Sequence, residues 1–258
     1  MTEKDKLSRR KLNIYFALGV VVLAALAAVG VIHFKNVVTE PSGNDVWGHM
    51  YKSEYLYKAL KRGQIYPLYD ETWYNGIQLY RYWPPLSYYI TALLMCFTGG
   101  NVINAYYLLF GVYIFFGGLA FLLIGRRIVF GTALAVLWFF MPENARMYID
   151  EGNMPRMVVS FLLPYLIYFI WVYLREEKRW ALAGILIFTM LITVTHIMMI
   201  AMIGIGTFLF LLFDHHRKMG IRRQVIILLT MICGILIMGV WLIHGFRGSI
   251  RCNDDVDV

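Results

Sequence analysis

Residues 12–34, LNIYFALGVVVLAALAAVGVIHF, run for 23 positions without one charged side chain. No other feature constrains the fold as strongly. As a helix this stretch is about 35 Å long, enough to cross roughly 30 Å of hydrocarbon. In water it would expose apolar surface on every side. A basic head, MTEKDKLSRRK, precedes it. A cleavable signal peptide has a shorter apolar core and a small-residue cleavage site, so the run predicts an uncleaved membrane anchor.

Further apolar runs follow at 86–98, 102–125, 128–141, 157–174, 180–213 and 224–243. The 180–213 run is too long for one span. Thr195 and His196 interrupt it, which predicts a tight hairpin. The 86–98 run is short for a span and suits an interfacial or re-entrant helix. Charge supports that reading. If 86–98 does not cross, the inside segments are the head, Arg126–Arg127 and the turns at 175–179 and 214–223. They then hold 14 of the 24 Lys and Arg; if it crosses, the inside keeps 9. Excess Lys and Arg mark cytoplasmic segments. The expected fold is therefore an all-α polytopic transmembrane helix bundle of about seven spans, with its N-terminus inside. Its long extracytoplasmic first loop contains amphipathic, juxtamembrane helices.

Composition agrees. The chain is 60% hydrophobic and 16% charged, against about 45–50% and about 25% in soluble domains. An ordinary soluble enzyme, a disordered chain and a disulfide-rich domain are excluded. The net charge of +8 is too thinly spread for a nucleic-acid surface. Cys96, Cys233 and Cys252 are odd in number and far apart, and suggest neither a metal pair nor a disulfide framework. No GxxxxGK[ST] loop, GxSxG elbow or HExxH helix occurs. Charges inside the spans are nearly missing, which speaks against an ion pump or proton relay.

The candidate chemistry gathers on the outer side of this topology. Asp45 and His49 are four apart and share a face if 45–61 is helical; Met50, Leu56, Tyr57 and Leu60 make that helix amphipathic, and Gly63 stops it. Asp45 can be a helix N-cap or a base. The loop at 142–156, PENARMYIDEGNMPR, places Asp150 and Glu151 on the same side. Two acids from separate loops suit a general base or a cation site; in a solvated loop they are caps. Arg146 and Arg156 flank them and can grip a phosphate bidentately or meet ordinary lipid head groups. His196 lies at the outer turn of the hairpin, as a functional polar group or one satisfied locally.

Asp45-x-x-x-His49, then Gly63 and Pro67, Asn75-Gly76 and Tyr80-Arg81-Tyr82-Trp83-Pro84-Pro85-Leu86-Ser87-Tyr88-Tyr89 together resemble a group of bacterial multi-pass membrane proteins. These carry the label "6-pyruvoyl-tetrahydropterin synthase-related" membrane domain and are similar to GT-C type glycosyltransferases. Glu151-Gly152-Asn153-x-Pro155-Arg156 and the Thr195-His196 turn resemble that group too, so the likeness runs over roughly residues 10–245. Pterin chemistry is not expected: the soluble synthase is a zinc enzyme with clustered histidines, and the six histidines here are scattered.

The resemblance implies Asp45 as the catalytic base or acceptor-orienting group, assisted by Asp150 or Glu151; His49, on the same helix face as Asp45, joins them in the candidate catalytic set. Arg146, Arg156 and His196 are, from their own chemistry and position, the candidates for substrate or phosphate binding. A divalent cation, if one is used, would fall to Asp45, Asp150 and Glu151; no cofactor is otherwise implied. The donor would be a polyprenyl-phosphate-linked sugar reached through the bilayer, and the partners are membrane lipids and that donor, with no nucleic acid. The expected organisation is a cytoplasmic head at 1–11, a GT-C-like membrane domain at 12–245 in the plasma membrane, with outer loops at 35–101 and 142–156, and an extracytoplasmic tail at 246–258 cut from a longer chain. The alternative is a non-enzymatic membrane protein: a transporter-like module or an assembly partner for envelope polymers.

Overall fold

The computed structural model describes residues 3–38, 40–73, 76–125, 128–213 and 220–243. The chain is a helical membrane bundle. The helices are α1 (Glu3–Val37), α2 (Val46–Lys61), α3 (Leu79–Tyr82), α4 (Leu86–Phe97), α5 (Val102–Gly125), α6 (Ile128–Phe139), α7 (Pro142–Arg146), α8 (Met154–Glu176), α9 (Trp180–Thr193), α10 (Ile197–Phe213) and α11 (Ile221–Ile237). A π-helical turn, Met147–Glu151, joins α7 to the segment before α8. Among the described residues there is no strand, only an isolated antiparallel bridge between Asp70 and Ile77.

Every apolar run of the sequence is largely helical. Three helical segments are long and apolar enough to cross a membrane: Leu12–Val37, Val102–Ile124 and Met154–Glu176. The other helices on expected span positions are shorter, 12 residues in α6, 14 in α9 and 17 in each of α10 and α11. Length therefore supports three full spans directly, where the apolar runs had suggested about seven. A turn at Met238 interrupts the last run, and helical residues 239–243 continue it. Residues 126–127, 214–219 and 246–258, which carried part of the charge argument and the expected tail, lie outside the described residues.

α5 is the hub of the bundle, packed by α1, α4, α6 and α8; α9 lies between α8 and α11. The core is rich in tyrosine. Tyr106, Tyr113 and Tyr148 are buried with Phe34, Leu109 and Met157. The outside is apolar instead. Val21, Val29 and Ile32 of α1 and Met198, Met202, Ile205 and Phe210 of α10 are exposed. Helices apolar all round are at home only when buried or in lipid.

α4 is 12 residues long, about 18 Å, and does not reach across about 30 Å of hydrocarbon. Its start is tied to the hairpin turn, where Leu86 N–H donates to Val194 O at 3.0 Å. Its end, at Gly99–Gly100, returns to the side chain of Tyr57 in α2. The 180–213 run breaks at Val194–His196 as expected. There Thr195 Oγ1 bonds Leu191 O at 2.6 Å, and His196 N–H bonds Ile192 O at 2.9 Å.

Contacts gather one set of helix ends. Tyr107 Oη at the start of α5 donates to Val38 O past the end of α1 at 2.5 Å. Asp45 N–H, before α2, donates to Glu151 O, before α8, at 3.0 Å. Trp241 Nε1 donates to Tyr80 O at 2.7 Å. The described residues of 40–101, the 142–156 loop and the 194–196 turn thus share one end of the bundle.

A candidate polar site at the loop end of the bundle

α2 presents the first wall. Asp45 stands at its N-cap position, yet its side chain makes no capping hydrogen bond. The backbone starts the helix instead, with His49 N–H bonded to Asp45 O at 3.0 Å. The helix ends in a Schellman motif: Gln64 N–H bonds Ala59 O and Gly63 N–H bonds Leu60 O, both at 3.0 Å, with Gly63 at φ +81°. Asp45 is exposed, and its Oδ2 accepts from Asn153 Nδ2 at 3.3 Å.

One turn on, His49 is buried, and its Nδ1 pairs with Tyr88 Oη at 3.0 Å. Burial, followed by the charges of Lys52 and His196, pushes the imidazole down to about 3, so it stays neutral at ordinary pH. This has a sign that can be checked. The unfolded chain protonates His49 below its usual 6.5, while the folded chain refuses that proton until about pH 3. Stability from this group is complete above pH 6.5 and falls as the pH drops, by up to about 1.4 kcal/mol per pH unit. His196, also lowered, chiefly by burial, acts in the same direction. The wild-type thermal midpoint is expected to fall more between pH 7 and pH 5 than that of His49→Gln; equal falls would contradict the neutral, buried assignment.

Lys52 is the residue that reading the sequence missed. It is 4% exposed, and its Nζ lies 4.5 Å from the ring centre of Trp73 and 4.4 Å from that of Trp83. The ammonium donates to Gly48 O at 3.1 Å. Burial draws its pKa down to about 8, against an upward pull from Asp45. Positions 45, 49 and 52 fall on one helical face, and that spacing was the available signal. Behind them, Asp70 accepts from Tyr51 Oη at 2.6 Å and from the N–H and Oγ1 of Thr72 at 2.9 and 2.7 Å. This buried carboxylate holds Thr72 beside Tyr51.

The second wall is the 142–156 loop. Glu143, Arg146, Glu151 and Arg156 form a ring of alternating charge. Arg146 reaches Glu151 at 2.9 Å and Glu143 at 3.5 Å; Arg156 reaches Glu143 at 2.5 Å and also bonds Glu151. Both guanidinium groups expected to meet phosphate are thus engaged by carboxylates, so phosphate recognition through them requires the ring to open. Asp150 is exposed, and among the described residues its side chain makes no ion pair or hydrogen bond. Asn153 caps α8 by accepting from Arg156 N–H at 3.1 Å, with Pro155 in the first turn.

The two walls touch through glycines. Gly152 has φ +63°, and a Cβ there would stand 2.5 Å from Val46 Cβ. A Cβ on Gly43, at φ +136°, would stand 2.7 Å from the Glu151 carbonyl carbon. Only side-chain-free backbone allows the segment before α2 to lie against the turn before α8.

Asp45 and the Glu151 backbone are therefore brought together, and His196 is close enough to act electrostatically on His49, as Arg156 is on His196. His196 Nδ1 also accepts from Met199 N–H at 3.4 Å, a local capping role. Among the described residues no three His, Cys, Asp or Glu side chains gather as a metal site. With Glu151 held by two arginines and Asp150 turned outward, the expected trio does not fit a cation.

A family model described as "6-pyruvoyl-tetrahydropterin synthase related domain; membrane protein" matches residues 80–255, about two thirds of the chain. No curated protein and no solved structure matches it.

Proposed function

The chain belongs to the 6-pyruvoyl-tetrahydropterin synthase related family of membrane proteins, and on that premise we propose that it is a GT-C-like glycosyltransferase. It transfers a sugar from a polyprenyl-phosphate donor at the outer face of the plasma membrane, with its N-terminus in the cytoplasm. The observation that carries this reading is the exposed carboxylate of Asp45. It stands at a helix start without capping it, beside a neutral buried histidine and the 142–156 loop.

In this reading Asp45 takes the proton from an acceptor hydroxyl. The acceptor oxygen then bonds to the anomeric carbon of the donor. The bond from that carbon to the phosphate oxygen breaks, and its electron pair leaves with the polyprenyl phosphate. Base catalysis of this kind contributes about 10²–10⁴-fold. Glu151 serves differently: its two oxygens are taken up by Arg146 and Arg156, so it orders the loop against α2. Asp150 and His196 complete the polar rim. No step is routed through a cation, because the donor set does not fit one. A lipid-linked donor keeps its phosphate at the interface, and the loop end of the bundle is where three apolar segments terminate.

The sidedness is tested by labelling. A cysteine placed at residue 70 is expected to react with an impermeant thiol reagent from outside intact cells, and one at residue 177 is not. Outside labelling of residue 177 would reverse the topology and move the site to the cytoplasm. The transporter-like alternative lacks a comparable observation: polar residues at mid-membrane, which a transporter needs, are few.

A further inference from the structure

We propose that the open cleft beside α2 binds the sugar-phosphate end of the donor, with Trp47, Tyr51 and Trp73 taking the sugar and Lys52 the phosphate. This inference rests on the glycosyltransferase reading and names the surface that reading leaves unassigned. The cleft measures about 490 Å3 and is lined by Trp47, Gly48, Tyr51, Thr72 and Trp73. That volume lies within the range of small-molecule sites, about 300–1,000 Å3.

Three observations point to an anionic saccharide. First, the walls are aromatic. Trp47 is 55% exposed, although it sits one residue from the buried Val46 and two from the buried His49. Tyr51 and Trp73 meet edge to face at 4.5 Å. Aromatic faces suit the C–H-rich faces of sugar rings.

Second, a cation lies under the floor. Lys52 is almost wholly buried, and among the described residues no carboxylate forms an ion pair with it; Asp45 acts on it only through space. A buried charge is costly unless an opposite charge or hydrogen bonds compensate it. Two indole faces and one carbonyl supply part of that here, and a phosphate would supply the rest. With a pKa of about 8 the side chain is charged at neutral pH.

Third, the floor is thin at one place. A Cβ on Gly48 would stand 3.6 Å from Lys52 Nζ and 3.6 Å from Trp73 Cη2. Glycine in mid-helix is unfavourable relative to alanine; here it lines the cleft and leaves only backbone between it and the buried ammonium. Asp45, three residues before Gly48, is near enough to act electrostatically on the same ammonium.

The test measures binding by the full-length protein in nanodiscs, separately from transfer. The probes are glucose 1-phosphate, farnesyl-phosphate-linked glucose, methyl glucoside and inorganic phosphate. Both sugar phosphates are expected to bind, the lipid-linked one more tightly. Methyl glucoside and inorganic phosphate are each expected to bind at least 10-fold more weakly than glucose 1-phosphate. Lys52→Gln and Gly48→Ala are expected to weaken the sugar phosphates by 10-fold or more. Gly48→Ala favours the helix, so a folding failure does not explain its loss.

If glucose 1-phosphate binds more tightly than its lipid-linked form, the ligand is a free sugar phosphate and the donor assignment falls. Unchanged binding in both variants overturns the proposal. Equal binding of inorganic phosphate and glucose 1-phosphate removes the aromatic walls and overturns it too. If no probe binds while Asp45-dependent transfer continues, this site fails and the function stands. If the probes bind as expected but no transfer occurs, the site stands and the glycosyltransferase reading fails.

Discussion

Asp45→Asn is expected to lower glycosyl transfer by about 10²-fold or more while the protein folds and inserts normally. The separation of the two effects comes from the geometry. A capping aspartate accepts a hydrogen bond from the backbone of the first helical turn, and Asn caps about as well as Asp. The Asp45 side chain makes no such bond. What it does accept is the Asn153 amide at 3.3 Å, and the amide oxygen of the substituted side chain can accept that equally well. The substitution therefore removes a negative charge and a proton acceptor from an exposed position and changes little else. Expression and thermal midpoint should match wild type. A variant with wild-type transfer would remove Asp45 from the chemistry and leave it as the residue that happens to precede α2.

The second large effect is structural. Gly152→Val is expected to detach the 142–156 loop from α2, lowering the thermal midpoint by roughly 10 °C and abolishing transfer. A β-branched residue at φ +63° pays about 1–2 kcal/mol for the left-handed backbone. Its Cβ would also stand 2.5 Å from that of Val46, and overpacking of that kind costs about 1–3 kcal/mol. For a chain of this size each kcal/mol is about 2–4 °C. Asn153→Ala is the control. It removes the amide that meets Asp45 and the cap of α8, a loss of about 1 kcal/mol, and should keep the two walls in contact. An unchanged midpoint in Gly152→Val would show that the loop and α2 are not packed together in the folded protein.

Much of this arrangement was legible in the chain. The apolar runs located the helices because in lipid every backbone group must be satisfied within the segment. Thr195-His196 marked the break in the 180–213 run. Pro84-Pro85 preceded a run, 86–98, too short to cross. The number of full spans was harder to read, because an apolar run such as 128–141 does not stay helical to its end; α6 stops at Phe139.

The site was read in part. Asp45 and His49 stood out by their spacing. The partners that give them character are tertiary. His49 is neutral because Tyr88, 39 residues on, and the surrounding core bury it. Lys52 reads as a solvated lysine until Trp73 and Trp83 close on it. Arg146 and Arg156 each lie five residues from Glu151, outside the three- and four-residue spacing of α-helical ion pairs. The π-helical turn before Gly152 brings these residues together, and their sequence spacing does not announce it.

The proposed activity is tested most directly by following a labelled donor. Membranes carrying the full-length protein are incubated with polyprenyl-phosphate hexoses labelled in the sugar, and the label remaining in the lipid fraction is measured over time. Label is expected to leave the lipid in wild-type membranes, with polyprenyl phosphate appearing in step, and to stay there in Asp45→Asn membranes of equal protein content. Label lost equally from both would place the chemistry away from Asp45. Label retained in both, across the series of hexoses, would contradict glycosyl transfer and leave the non-enzymatic alternative, a transporter-like module or an assembly partner.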